Sequence, residues 1–328
     1  MSTIQDRMNS NMMRKFRRNP RVELERIRPA TVSGLMKIFF KAFDKRGRLS
    51  DVIADPQLVY EAWWPYRFFR RRFGNFKAEY VSVVVATRNN EDTISASLTS
   101  IMAQSFRNLQ IIVVDDGSTD ASPGIIAELC ERDPRIRVVT NEMSIGTGAS
   151  RNLGMRMATG AYLTFQDGDD VSDPTRIERQ VIELLRDPAK KVVTCNYVRV
   201  NSRRERLEVN EKRVMNCIIS MMFPRQDVLD NVGFFREANV SEDSDFFERI
   251  KVFFGEGCDT NIFRTLYEAQ FREDSSFFSS CENVKITGRR VQFERKKSVV
   301  AEWDSLMSQH EQMKQRRVTP YNMAGQLK

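Results

Sequence analysis

The sequence is poor in the residues that build zinc sites. It contains a single histidine, His310, and five irregularly spaced cysteines that form no Cys-x-x-Cys pair, namely Cys130, Cys195, Cys217, Cys258 and Cys281. Protein zinc sites draw on clusters of these two residue types at short spacings, so the sequence excludes a zinc centre of that kind. Scattered cysteines are typical of reduced thiols in a cytosolic protein.

Long apolar stretches are also missing. No run of about 18 apolar residues, the length that a membrane-spanning helix needs, occurs in the sequence. The charged N-terminus is not followed by the apolar core of a secretory signal. We therefore expect a cytoplasmic protein that is soluble or attached peripherally to the inner face of the plasma membrane.

The formal net charge of +8 is distributed unevenly along the chain. Residues 1–78 carry a net charge of +11, residues 79–284 carry −9, and residues 285–328 carry +6. Nucleic-acid affinity depends mostly on neutralising phosphates, so the acidic middle of the chain argues against a nucleic-acid partner. The basic flanks are instead candidates for contact with an anionic membrane, a glycolipid or a protein partner.

Composition divides the chain into four parts. Residues 1–33 are expected to be a flexible basic N-terminus, because they are rich in Arg, Asn and Met and are interrupted by proline. Residues 34–78 are predicted to be a helical extension in which tryptophan, tyrosine and phenylalanine alternate with arginine. Those aromatic side chains either lie on anionic lipid or pack against the rest of the protein. Residues 79–270 are predicted to form the main folded domain, and residues 271–328 a C-terminal helical segment with one long helix from about Val284 to Lys314.

Strand and helix patterns alternate from Tyr80 onward. Runs of β-branched and other apolar residues predict strands at Tyr80–Ala86, Leu109–Asp115, Arg135–Thr140, Ala161–Phe165, Lys191–Val200, Val214–Phe223 and Leu266–Arg272. In the first half of this domain, helical patterns separate successive strands. This alternation predicts an α/β fold with a Rossmann-like, mainly parallel sheet flanked by helices, and with helical extensions at both ends.

Acidic residues follow two of the predicted strands. The sequence Asp115-Asp116-Gly117-Ser118-Thr119-Asp120 ends the second strand, and Asp167-Gly168-Asp169-Asp170 follows the fourth. Ligands of α/β sheets bind outside the C-terminal ends of the strands, so both clusters are predicted to lie at one edge of the sheet. Crowded carboxylates repel one another unless a cation lies among them, and hard oxygen ligands favour Mg²⁺ or Mn²⁺. The alternative is a pair of solvated turns with helix-capping aspartates.

Four segments, read together, resemble glycosyltransferase family 2. They are Val81–Asn89, the strand ending in DDGSTD, Ser144–Gly154 and Gly160–Asp170. They occur in this order within roughly residues 79–255. The resemblance implies a GT-A fold and an inverting, metal-dependent enzyme that uses a nucleotide-activated sugar. It also implies that residues 79–170 form the nucleotide-binding half of a catalytic domain and residues 171–270 the acceptor-binding half.

The resemblance assigns roles around the nucleotide. The loop Ala86-Thr87-Arg88 would contact the base and ribose, with Asp115 beside it. Asp116 would accept a hydrogen bond from the base, which favours a uracil nucleotide. Arg151 would face the diphosphate or the base, the alternative being an ion pair with a surface carboxylate.

The resemblance also assigns the metal site. Asp167 and Asp169 would form the D-x-D motif, with Asp169 as a direct ligand and Asp167 holding the ribose or the metal shell. Asp170 would support this loop or the donor sugar. Many family members carry a histidine near the end of the catalytic domain, and here Arg272 stands in its place. Arginine does not ligate metals, but its planar fork can bind a diphosphate.

A second acidic sequence, Ser241-Glu242-Asp243-Ser244-Asp245, opens a predicted helix. It resembles the family's E-D motif, which implies that Asp243 is the catalytic base that takes the proton of the acceptor hydroxyl. Alternatively, these residues only cap the helix and interact favourably with its dipole.

The expected reaction is transfer of a sugar from a nucleotide-diphosphate donor, with a UDP-sugar preferred, to a hydroxyl of a glycan or lipid-linked acceptor in bacterial surface polysaccharide biosynthesis. A nucleotidyltransferase of similar topology is a rival, but no Gly-rich, Lys-bearing loop follows the first strand. A non-catalytic protein that only binds sugar nucleotides is the other rival, and the presence of both Asp169 and Asp243 argues against it.

Overall fold

The computed structural model describes residues 79–236, 241–272 and 275–316. The predictions for residues 1–33 and 34–78 lie outside the described residues. Within the described ranges, no helix is both long enough and apolar enough to span a bilayer.

The first half of the described chain is a regular strand–helix alternation. Its elements are β1 (Val81–Thr87), α1 (Ile94–Met102), β2 (Leu109–Asp115), α2 (Ser122–Arg132), β3 (Ile136–Thr140), α3 (Thr147–Met157) and β4 (Tyr162–Asp167). All four strands are parallel, with β1 between β2 and β4 and with β3 beyond β2. Every residue of β1 is buried, as expected for a β-branched strand that is covered on both faces.

The second half mixes strand directions. Its elements are β5 (Val171–Ser172), α4 (Arg176–Arg186), β6 (Val192–Val200), β7 (Glu208–Val209), β8 (Met215–Pro224), α5 (Arg225–Asn231), α6 (Glu242–Phe254), β9 (Asp259–Gln270), α7 (Ser276–Ser279), β10 (Cys281–Thr287), β11 (Arg290–Arg295) and α8 (Lys297–Arg316). The eight-stranded sheet has the order β3-β2-β1-β4-β8-β6-β9-β5. Strand β8 is antiparallel to both β4 and β6, whereas β6 and β9 are parallel.

One aromatic cluster joins the two halves. Phe165 of β4 lies 5.1 Å, ring centroid to ring centroid, from Phe235, and Phe235 lies 4.6 Å from Phe246 of α6. All three rings are fully buried. Buried aromatic side chains of this size make some of the largest contributions to the stability of a protein core. The cluster therefore holds α6 against the end of the parallel sheet.

The predicted α/β fold with a mainly parallel sheet is confirmed, and the long C-terminal helix is present, but its predicted start at Val284 is wrong. Residues 281–295 form an antiparallel hairpin, β10–β11, and α8 begins only at Lys297. Gly288, at φ +60°, makes the turn between the two strands, a conformation that favours glycine. Val291 is fully buried against Leu207 and Val209, and β11 pairs with β7. A partner strand some 80 residues earlier in the chain overrides the local helical pattern.

Candidate active site

The C-terminal ends of β1, β2 and β4 meet at one edge of the sheet. Thr87 pairs with Asp115, and Ala86 pairs with Asp167, in the parallel register. The two acidic clusters that the sequence placed on separate strands therefore lie at the same edge, with the end of β1 between them.

Three carboxylates form a compact cluster just after β4. One oxygen of each of Asp167, Asp169 and Asp170 lies within 4.8 Å of the others. Burial and then the charge of Asp167 raise the pKa of Asp169 to about 6. Burial, Asp169 and Asp167 also raise the pKa of Asp170 well above its ordinary value. This set of hard oxygen donors fits a divalent cation such as Mg²⁺ or Mn²⁺, because the cation would offset their mutual repulsion.

Arg272 reaches this cluster from the segment after β9. Its Nη2 lies 3.3 Å from Oδ2 of Asp169, and its Nη1 donates to Oδ1 of Asn90 at 2.8 Å. Asn90 in turn donates through Nδ2 to Oγ1 of Thr87 at 3.0 Å. The prediction named Arg272 and Thr87 but missed Asn90, which connects them. In the sequence, the one sign of a role for Asn90 was the polar pair Asn89-Asn90, which closely follows β1.

Asp170 ties the cluster to the second half of the sheet. Its Oδ1 accepts a hydrogen bond from the backbone N–H of Gln270 at 2.8 Å, and its side chain is buried. The neighbouring Tyr267 accepts the backbone N–H of Asp167 through its hydroxyl at 3.1 Å. These contacts agree with the expected role of Asp170 in supporting the loop, and its contact with a donor sugar stays a prediction.

Gly168 lets the cluster approach β1 closely. A Cβ at this position would stand 2.4 Å from Oγ1 of Thr87 and 2.9 Å from Nδ2 of Asn90. The glycine in the D-x-D motif is therefore required by packing, since any larger residue would push the carboxylates away from the end of β1.

Asp116 holds a neighbouring loop in place. Its two oxygens accept hydrogen bonds from Asn141, Ser144, Ile145 and Gly146, at donor–acceptor distances between 2.7 and 3.0 Å. Burial alone would raise the pKa of Asp116, but these bonds lower it below its ordinary value. The predicted hydrogen bond to a nucleotide base would have to share an oxygen with these donors, so that role stays a prediction.

Asp115 and the loop after β1 differ in exposure. Asp115 is fully buried, and its Oδ1 accepts from the N–H and hydroxyl of Ser118, which closes the turn after β2. Its Oδ2 is buried with no partner among the described residues. Ala86 and Thr87 are buried, whereas the side chain of Arg88 is exposed at the end of β1. The nucleotide contacts expected of all four residues stay predictions.

Arg151 joins the two acidic motifs. Its Nη2 lies 2.7 Å from Oδ1 of Asp167, and its Nη1 lies 2.9 Å from Oε1 of Glu242. Burial alone would lower the pKa of Arg151, but the carboxylates of Asp167, Glu242 and Asp243 raise this pKa above its ordinary value. Arg151 is thus ion-paired, with partners that belong to the two predicted motifs, and its contact with a diphosphate or base stays a prediction. The pairing of Arg151 with Glu242 could not be predicted from the sequence, where the two residues are 91 positions apart.

Asp243 lies in the first turn of α6, beside Glu242. Its Oδ1 accepts the backbone N–H of Ser244 at 2.7 Å, and its side chain is partly exposed. The carboxylate that points into the protein is instead Asp245, which is fully buried between Arg249 at 2.9 Å and His310 at 2.7 Å. The geometry therefore separates an accessible carboxylate from a structural one two residues later.

Together, the strand order and the acidic edge of the sheet define a GT-A glycosyltransferase fold. The structure is similar to that of S. aureus TarS 1–349 in complex with UDP-GlcNAc, with a TM-score of 0.52 and 22% identity over 62% of each chain. Residues 82–243 match the model of the family described as glycosyl transferase family 2, and this part of the chain belongs to that family.

Curated relatives match about a third of the chain. A UDP-Glc:alpha-D-GlcNAc-diphosphoundecaprenol beta-1,3-glucosyltransferase, WfaP of Escherichia coli, is 37% identical over 31% of this chain and 40% of its own. Putative glycosyltransferase EpsH of Bacillus subtilis is 40% identical over 36% of this chain and 33% of its own. The matched region thus spans about a third to two-fifths of the length of these relatives.

Proposed function

We propose that the protein is a metal-dependent, inverting glycosyltransferase that moves a sugar from a UDP-sugar to a hydroxyl of a glycan or lipid-linked acceptor. The observation that carries this proposal is the Arg151 bridge, which joins Asp167 of the carboxylate cluster to Glu242, the neighbour of Asp243. A single displacement of a nucleotide diphosphate needs two groups, a cluster that binds a cation and an accessible carboxylate. Here both groups lie within reach of the guanidinium of Arg151.

In this proposal, Asp169 and Asp167 hold Mn²⁺ or Mg²⁺ after β4. When bound, such an ion neutralises the negative charge that develops on the departing nucleotide diphosphate. Arg272 already lies beside Asp169, and its guanidinium can bind a diphosphate oxygen while Asn90 holds its other nitrogen. Asp170 keeps the loop in position through Gln270.

The nucleotide would extend along the edge of the sheet from β2 to β4. Ala86, Thr87 and Arg88 at the end of β1 lie between the two acidic clusters, which is the position for a base and ribose. Asp115, Asp116 and the loop that Asp116 holds would enclose the base. Support for a uracil nucleotide comes from relatives such as WfaP, whose name specifies UDP-Glc as donor.

Asp243 would act as the general base. The hydroxyl of the acceptor is a poor nucleophile, and a positioned carboxylate accepts its proton as the oxygen attacks the anomeric carbon. Attack on the side opposite the diphosphate forms the new glycosidic bond as the old bond breaks, which inverts the anomeric centre. No covalent enzyme intermediate is needed in this single displacement.

We propose a role in bacterial surface polysaccharide biosynthesis at the cytoplasmic face of the membrane. Support comes from relatives named for a diphosphoundecaprenol-linked acceptor and for succinoglycan biosynthesis. The basic segment 34–78 is the part of the chain proposed to contact anionic lipid, its net charge being positive.

The experiment compares the full-length protein with Asp243→Asn in a nucleotide-release assay over a panel of UDP-sugars, with Mg²⁺ or Mn²⁺. We expect kcat to fall by about 10²- to 10⁴-fold with an unchanged Kd for UDP, because only the base is lost. Glu248→Gln, on the same helix and paired with Lys251, is the matched control and should retain activity. Full transfer by Asp243→Asn would exclude Asp243 as the base, and absence of any nucleotide-sugar binding would exclude the function.

A further inference from the structure

Two arginines lie against one phenylalanine next to the candidate metal site. The Cζ of Arg199 stands 3.7 Å from the ring centroid of Phe277, and the Cζ of Arg295 stands 4.5 Å from the same centroid. Arg199 is on β6, Phe277 on α7 and Arg295 on β11. Two cations against one ring repel each other, so this arrangement favours an anion between or beside them.

Arg199 points to the same face of the sheet as the carboxylate cluster. In the parallel register of β6 and β9, Tyr197 pairs with Tyr267 and Arg199 pairs with Ala269. Because alternate residues of a strand share a face, Arg199 lies on the face of Tyr267, whose hydroxyl accepts the N–H of Asp167. The charge of Arg199 is also among those that lower the pKa of Asp169, against the larger effects of burial and Asp167.

Neither guanidinium has a carboxylate partner. Among residues 79–236, 241–272 and 275–316, no Asp or Glu oxygen lies within 4 Å of Arg199 or Arg295, and Nε of Arg199 is buried without a partner. Arg295 donates to the hydroxyl of Ser280 and contacts Sγ of Cys281 at 3.7 Å, both neutral groups. The other arginines of the site, Arg151 and Arg272, are each paired with a carboxylate.

The strand order separates this pair from the nucleotide. The nucleotide is proposed to lie across β2, β1 and β4, whereas β6 and β9 lie beyond β4, on the far side of β8. A group held at the end of β6 is therefore further along the edge than the donor sugar. An acceptor that extends along this edge beyond the donor sugar would therefore reach the pair.

We propose that Arg199 and Arg295 form an anion-binding subsite for a phosphate or diphosphate group of the acceptor. The guanidinium fork matches phosphate oxygens, and charge-assisted hydrogen bonds of this kind are strong in a partly buried site. The subsite rests on the proposed transfer reaction and adds to it the chemical class of the acceptor. Phe277 sets the spacing of the two arginines, and the packing of Phe277 on Phe293, 5.1 Å between centroids, ties it to the hairpin.

The test measures binding of farnesyl diphosphate, below its aggregation threshold, to the full-length protein saturated with UDP and Mg²⁺, by isothermal titration calorimetry. We expect the Kd of farnesyl diphosphate to rise by about ten- to a hundredfold in Arg199→Gln and to rise in Arg295→Gln as well. Lys285→Gln removes one exposed positive charge from the same hairpin and should leave this Kd unchanged. Farnesol, which lacks the diphosphate, should show no difference among the four proteins.

Each outcome has one reading. If UDP affinity falls in Arg199→Gln, the arginine binds the donor phosphates and the acceptor subsite is wrong. Equal binding of farnesyl diphosphate to all four proteins, or no binding to the wild type, also overturns it. If UDP itself does not bind the wild type, the proposed function fails instead. Arg295 is exposed, so Arg295→Gln remains informative even if Arg199→Gln folds poorly.

Discussion

The first half of the sheet and the second half position their charged side chains in different ways. In the first half, Asp115 and Asp167 are placed by the backbone, because each ends a parallel strand and the strands end at one edge. In the second half, Asp245, Arg199 and Arg272 are placed by side-chain contacts with distant parts of the chain. Backbone placement depends on a local pattern, whereas side-chain placement depends on the whole tertiary structure.

Arg151 is a buried charged group that connects the two halves. It is 4% exposed and holds a carboxylate from each half. The comparison therefore predicts that variants at such junctions affect both stability and activity. Variants within one half should affect one property more than the other.

Replacement of Arg151 is expected to have the largest effect on stability. Arg151→Met should reduce the free energy of unfolding by about 3 kcal/mol, the low end for a broken buried ion pair, because it removes a buried cation from the partly buried carboxylates of Asp167 and Glu242. Chemical denaturation monitored by circular dichroism measures this loss. Arg156→Met, at an exposed arginine on the same helix whose guanidinium lies 5.9 Å from the ring centroid of Phe234, should be milder. Equal losses in the two variants would show that the ion pairs of Arg151 contribute no more to stability than the contacts of Arg156 do.

Replacement of Asp169 is expected to act on metal use within the first half. In Asp169→Asn, the Mn²⁺ concentration required for activation should rise at least about 100-fold, because a carboxylate ligand of the proposed site is lost. The metal dependence of donor hydrolysis measures this change. The control is Asp173→Asn. The carboxylate of Asp173 accepts hydrogen bonds from the backbone N–H and the hydroxyl of Thr175. Unchanged metal dependence in Asp169→Asn would exclude Asp169 as a ligand.

Replacement of His310 tests the second half alone. His310 of α8 lies 2.7 Å from Asp245, so His310→Ala should lower the free energy of unfolding by about 1–3 kcal/mol by leaving a buried carboxylate oxygen unpaired. Thermal unfolding by calorimetry measures the loss. Because Asp243 is only two residues from Asp245, a fall in kcat of His310→Ala with an unchanged KM for donor would show that α8 positions the candidate base.

The same contact gives a pH dependence with a definite sign. Burial alone would raise the pKa of Asp245, but the hydrogen bond from His310 and the charge of Arg249 lower it below its ordinary value. The stabilisation from this pair is therefore present above the ordinary pKa of aspartate and is lost as the pH falls through the lowered pKa. Acid unfolding of wild type and Asp245→Asn should converge at low pH. Parallel curves across the whole range would contradict the linkage.

An exposed pair should show the smallest effect. Arg213 lies 3.0 Å from Glu208 at the surface, with 61% of its side chain exposed. Arg213→Gln should change the free energy of unfolding by less than about 1 kcal/mol, as is usual for solvent-exposed ion pairs. Urea denaturation measures this difference. A larger loss would indicate that the hairpin depends on Glu208, which also faces Arg290 at 3.5 Å.

The predictions from the sequence were most accurate where local pattern and tertiary position coincide. The strands β1, β2 and β4 and the carboxylates after them were predicted because apolar runs followed by Asp-rich turns identify the C-terminal end of a parallel strand. The hairpin β10–β11 was missed because its stability comes from Val291 packing on Leu207 and Val209, far away in the chain. Asn90 was missed because a single polar residue in a loop has many uses, and the pairing of Glu242 with Arg151 was missed because the two residues are far apart in the chain.

The sequence by itself determined how strands and helices alternate along the first half of the domain, and that Asp115, Asp116, Asp167, Asp169 and Asp170 lie at one edge of a sheet. It did so because burial periodicity is local and because parallel strands end together. Only the tertiary structure decided which cations meet those carboxylates. Arg151 and Glu242 are 91 residues apart, and Arg272 and Asn90 are 182 residues apart. Contacts at such separations depend on how strands are ordered and how helices pack on them, and no local pattern of residues encodes that order.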